Sequence, residues 1–201
     1  MAYTIAIEGV DNLGKTTVAQ NLVRTFVEDG YQARIEPEFG NDILGNTIRH
    51  LVENHWEQVP LNAQALIIAA DRFHRYLSIA QREHSSREII VFDRHLFSTE
   101  VYQSIALGIS VHEIKEMLQS IYGRMYQYPQ LTFILDAPIE TSVERGGDDI
   151  HSVDFLRMAR KLYLDYASRT DVIIVDARQN TSDTVKFCRK KILSLASYDQ
   201  R

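Results

Sequence analysis

Residues 4–22, "TIAIEGVDNLGKTTVAQNL", decide the fold. An apolar run ends at Glu8-Gly9, a loop with two glycines follows, and a polar-apolar helical pattern begins at Lys15. Gly9-Val10-Asp11-Asn12-Leu13-Gly14-Lys15-Thr16 fits the spacing G-x-x-x-x-G-K-[ST] without a gap. Glycines let such a loop curl until successive N–H groups face one anion, and the helix behind presents its positive N-terminus. In this pattern Gly9 to Thr17 cradle the phosphates of ATP. Lys15 reaches the β- and γ-phosphates, and the Thr16 hydroxyl is a ligand for Mg²⁺. A chance glycine turn is the alternative. Strand, loop and helix in the order the motif requires argue against it.

Working outward, short runs rich in Ile, Val and Leu recur at residues 4–8, 89–93, 131–136 and 172–176, with a weaker one at 32–36. They are mostly continuous rather than alternating, as in parallel strands covered on both faces. Helical patterns at 15–29, 43–53, 61–85, 97–106, 112–122, 153–168 and 183–196 separate them. The alternation predicts an α/β fold with a doubly wound, parallel five-stranded sheet flanked by helices, of the P-loop NTPase type. Ligands of such sheets bind at the carboxyl ends of the strands. Here those ends carry Glu8, Glu36, Asp93, Asp136 and Asp176.

At 201 residues, with no repeat and no Pro/Gly/Ser linker, the chain reads as one domain. Its net charge of −5 argues against a nucleic-acid surface. No N-terminal apolar run is long enough for a signal peptide or a membrane span. The single cysteine, Cys188, forms no internal disulfide and suits a reducing, cytoplasmic setting.

Two Asp-Arg pairs accompany the loop. Asp93 closes a buried strand, where a carboxylate can hold Mg²⁺ directly or through water. Arg94 follows it and can offer a phosphate its planar fork. Asp71-Arg72 lies in a helical stretch, where such pairs are often solvated, so spacing alone leaves Arg72 undecided.

Taken in order, "IEGVDNLGKTT", "EP", "ALIIAADR", "VFDRHLFSTEVYQ", "YPQLTFILDAP" and "VER" resemble the thymidylate kinase family of nucleoside monophosphate kinases. The resemblance runs from about Ile5 to Asp176. It implies ATP-dependent phosphorylation of a deoxynucleoside 5′-monophosphate, with dTMP to dTDP the leading reaction. It implies that Asp11 sits near the acceptor phosphate and sugar, and that Glu36 lines the acceptor site. Arg72 and Arg94 would grip the acceptor phosphate or base edge, with Thr99 near the base. Tyr102 would crowd the sugar 2′ position, Gln103 would contact base or backbone, and Arg145, in a short lid at 145–154, would approach the transferred phosphoryl. Lys15, Arg94 and Arg145 are thus the catalytic candidates, and Thr16 and Asp93 the metal ligands.

The chain departs from the family pattern in places. Ile68 stands where the family stacks an aromatic on thymine, a part Phe39 or Phe73 could take. Ile35 replaces the arginine before "EP", and His95 replaces the tyrosine of D-R-Y. The alternatives are a kinase of another deoxynucleotide, or of a deoxynucleoside with Glu36 as base, and a P-loop ATP-binding switch module. Relatives in the family are commonly homodimers, and the apolar helices around 61–70 and 97–106 could form such a face.

Overall fold

The computed structural model describes residues 2–82, 88–146 and 151–196. Five strands form one parallel sheet: β1 (Tyr3–Glu8), β2 (Gln32–Glu36), β3 (Glu88–Asp93), β4 (Leu131–Asp136) and β5 (Val172–Asp176). Their spatial order is β2-β3-β1-β4-β5. Consecutive residues of β1, β3 and β4 are buried, so both faces of the central sheet are covered. This is why their sequences run apolar without alternation.

The residues group into two compact units. The first comprises residues 2–36, 88–94 and 129–196 and contains the sheet. Its helices are α1 (Lys15–Glu28), α6 (Ile139–Arg145), α7 (Val153–Asp165) and α8 (Thr181–Ala196). The second comprises residues 37–82 and 95–128 and is helical. It contains α2 (Ile43–Asn54), α3 (Leu61–Ala80), α4 (Leu96–Leu107) and α5 (Val111–Tyr122).

Local chemistry sets several boundaries. Asp42 caps α2 through the Gly45 amide at 2.8 Å. Ser110 and Glu113 form a reciprocal capping box at the start of α5. Ser152 caps α7 through the Phe155 amide. The third helix, expected over 61–85, ends at Ala80, and residues 83–87 lie outside the described ones. No helix among the described residues is long and apolar enough to cross a membrane.

Candidate active site

In the first unit the β1-α1 loop has the backbone its sequence demands. Gly9 has φ +127° and Gly14 has φ +81°, and the non-glycine Asn12 has φ +60°. The Lys15 ammonium, buried, donates to the Val10 carbonyl at 2.7 Å, so the lysine folds back over its own loop. The Thr16 hydroxyl donates to Asp93 Oδ2 at 2.5 Å. Thus the two oxygens expected to hold a metal meet, although 77 residues separate them.

Arg94 is the second non-glycine residue in the left-handed region, at φ +67°. Its amide donates to the Ile7 carbonyl at 3.1 Å, which turns the chain at the end of β3 toward the loop. Only 3% exposed, its guanidinium reaches the Gly9 carbonyl at 3.1 Å and the Tyr163 hydroxyl at 3.3 Å, and it pairs with the Asp11 carboxylate. Tyr163 in turn donates to the fully buried Glu8 at 3.2 Å. From α6, Ser142 donates to the Asp11 carbonyl at 2.9 Å. Loop, β3 and both helices around the expected lid therefore converge on the Asp11-Arg94 pair.

Other arginines of this unit are engaged elsewhere. Arg145 ends α6 and donates to the Ala177 carbonyl at 2.9 Å, and lid residues 147–150 lie outside the described ones. Arg160 forks onto Asp136 at 2.7 and 3.0 Å. Glu36 pairs with Arg34, which also donates to Glu88 at 2.8 Å. No cluster of three or more metal-binding side chains occurs among the described residues. Mg²⁺ requires none, because it keeps several waters and is commonly held by one or two protein oxygens plus substrate phosphates.

In the second unit, α3 and α4 carry the remaining candidates. Arg72, 3% exposed, donates to the His95 carbonyl. Thr99 is 1% exposed, and its hydroxyl has no hydrogen-bond partner among the described residues. Gln103 is buried and Tyr102 half-buried on α4. Ile68 is half-buried, and Phe73 packs against Tyr122 with ring centroids 5.4 Å apart.

Two features here were not read from the sequence. Arg75 is buried and paired with Asp71, a link whose only sequence signal is the four-residue spacing on α3. Glu100 is fully buried, and accepts from Tyr126 at 2.5 Å and Tyr128 at 2.7 Å. Burial and the Glu100 charge push the Tyr126 hydroxyl pKa upward.

His95 stacks on Tyr76 with ring centroids 4.5 Å apart. Burial, then the charges of Arg72 and Arg75, hold its pKa well below the usual 6.5. An unfolded chain protonates this imidazole near pH 6.5 whereas the folded one does not. Stability from the neutral ring is therefore complete above that pH. It is lost as pH falls from 6.5 toward the depressed value, by at most about 1.4 kcal/mol per pH unit. Asp42 and Asp176, both held low, act only around and below the usual carboxylate value of 3.8. Between pH 7.5 and 5.5 the melting temperature of His95→Phe is expected to fall less than that of the wild type. Parallel declines would contradict this role.

The family model for thymidylate kinase matches residues 7–187. The chain belongs to the thymidylate kinase family. It is similar to a probable thymidylate kinase of Archaeoglobus fulgidus, 31% identical over 195 residues covering 94% of each chain. It is 26% identical over 189 residues to a thymidylate kinase of Halothermothrix orenii, covering 89% of this chain and 90% of that one. It is 31% identical over 183 residues to a probable thymidylate kinase of Methanocaldococcus jannaschii, covering 90% of both. The parallel sheet and its phosphate-binding loop are the P-loop NTPase architecture of the thymidylate kinases, and ATP is the phosphoryl donor.

Proposed function

We propose that the protein transfers the γ-phosphoryl group of ATP to a deoxynucleoside 5′-monophosphate, with dTMP the acceptor that family membership and the named relatives favour. The observation that carries the reading is the union of a complete phosphate-binding loop with an arginine, Arg94, paired to the acid inside that loop. A P-loop ATPase without an acceptor has no evident use for such a pair.

In this reading Gly9 to Thr17 hold the donor phosphates through backbone amides and Lys15. Thr16 and Asp93, which meet at 2.5 Å, would hold Mg²⁺, and the ion would supply neutralising charge for the phosphates. Asp11, Glu36, Arg72, Arg94, Thr99, Tyr102 and Gln103 are the acceptor-binding candidates that the family resemblance supplies, and Arg145, which donates to the Ala177 carbonyl here, would have to leave that contact to attend the transferred group. The acceptor oxygen belongs to a phosphate already anionic near neutral pH, so no protein base has to remove a proton. What remains is positioning and charge neutralisation. The partners are small nucleotides. The exposed Leu61 and Leu66 of α3 support a homodimer, which equilibrium sedimentation reads directly.

The test is ADP release with Mg-ATP against each deoxy- and ribonucleoside monophosphate and each deoxynucleoside. Acceleration by dTMP above the ATP-only rate is expected. Acceleration by another nucleotide or by a nucleoside alone would shift the assignment to that acceptor. A rate indifferent to every acceptor would leave an ATP-binding switch.

A further inference from the structure

The turn that follows β2, residues 37–40, is fastened from two sides within the second unit. Arg75 reaches it from α3: one guanidinium nitrogen donates to the Pro37 carbonyl at 2.5 Å and another to the Glu38 carbonyl at 2.7 Å. The third, Nε, pairs with Asp71 Oδ2 at 2.9 Å. The other oxygen of Asp71 accepts from the Gly40 amide at 3.4 Å. One buried ion pair therefore grips the turn at three points, Pro37, Glu38 and Gly40.

From α2, Gly45 comes so close that a Cβ there would lie 2.1 Å from the Gly40 carbonyl oxygen, so backbone packs directly on backbone. The Asp71 and Arg75 side chains are 1% and 4% exposed, where charge-assisted hydrogen bonds are strong and an unpaired partner is costly. The position lowers the proton affinity of Arg75: burial, then the neighbouring Arg72, draws its pKa down. A guanidinium suits the task because a planar fork serves two carbonyls and a carboxylate at once, whereas an ammonium is a single point charge.

We infer that Arg75 is a positioning residue that sets the shape of the 37–40 turn, and through it the fit of the acceptor nucleotide. The inference rests on the proposed kinase reading, in which Arg72, one helical turn from Arg75, binds the acceptor. Arg75 itself touches only protein. It acts by fixing the Pro37 and Glu38 carbonyls, while Arg49 of α2 donates to the Phe39 carbonyl between this grip and Gly40 at 3.0 Å.

The test is steady-state kinetics of Arg75→Lys and Arg75→Gln with dTMP and with the other deoxynucleoside monophosphates, alongside thermal melts. In the variants, KM for the acceptor is expected to rise about tenfold, with KM for ATP and kcat within about twofold of wild type. The preference among acceptors is expected to narrow, because a loose turn discriminates less. A purely structural role would lower the melting temperature and leave acceptor KM and preference unmoved; that result overturns the inference. So does an equal rise in the KM for ATP. If one variant fails to fold, the other supplies the same kinetic comparison, and failure of both would show that Arg75 serves stability alone. A wild-type enzyme that no acceptor accelerates would overturn the kinase reading, and this inference with it.

Discussion

Arg94→Ala is expected to lower kcat for phosphoryl transfer by about a thousandfold while the fold persists. Three observations set the size. The guanidinium is 3% exposed, so its charge acts where water screens little. It is aimed by the Gly9 carbonyl and the Tyr163 hydroxyl on one nitrogen and by Asp11 on another. It pairs with Asp11 inside the phosphate-binding loop, where the proposed transfer would build charge.

Alanine removes the cation and also leaves the Asp11 carboxylate without it beside incoming phosphates, so loss and repulsion add. The backbone strain at φ +67° is the same for alanine as for arginine. Stability should therefore fall by the lost charge-assisted hydrogen bonds and the partners left behind, about 3 kcal/mol. Arg94→Lys should recover a minor part of the rate, since an ammonium cannot reproduce the fork. Turnover of Arg94→Ala within about tenfold of wild type, measured with both substrates saturating, would remove Arg94 from the reaction.

The second large effect is on stability. Gly9→Ala places a Cβ 2.3 Å from the backbone oxygen of Leu135 in β4, at φ +127°, which side chains rarely adopt. Two costs combine. The backbone conformation alone is worth about 1–3 kcal/mol. The clash is with main chain held in a sheet, which cannot rotate away as a side chain would. A total of about 4 kcal/mol is expected, or a melting temperature roughly 10 °C lower for a chain of this size.

Gly14→Ala is the control. Its Cβ meets nothing within 4 Å, so only the strain of φ +81° remains, about 1–2 kcal/mol. Equal losses in the two variants would show that dihedral strain, and not the approach of Leu135, governs the loop.

The loop was legible because its chemistry is local. Two glycines, a lysine and a threonine at fixed spacing describe one anion-binding turn, and continuous apolar runs describe strands covered on both faces. The β2 bounds and the ends of β1, β3, β4 and β5 are those expected from the sequence. The third helix is shorter than its pattern, ending at Ala80 before the polar stretch that follows. Resemblance to a family extended the reading to candidate acceptor residues that spacing alone left undecided, Arg72 among them.

What only tertiary structure decided is how these groups hold one another. Tyr163 meets Glu8 across 155 residues, Arg94 meets Asp11 across 83, and Arg75 meets Pro37 across 38. No local pattern encodes such pairings. They arise when strands far apart in the chain become neighbours in one sheet, and when helices settle on the remaining surface. Sequence determined which residues can bear charge beside a phosphate, because that is a property of side chain and turn. Folding decided which of them are buried together, because the strength of a charge and the direction it points depend on what excludes water around it.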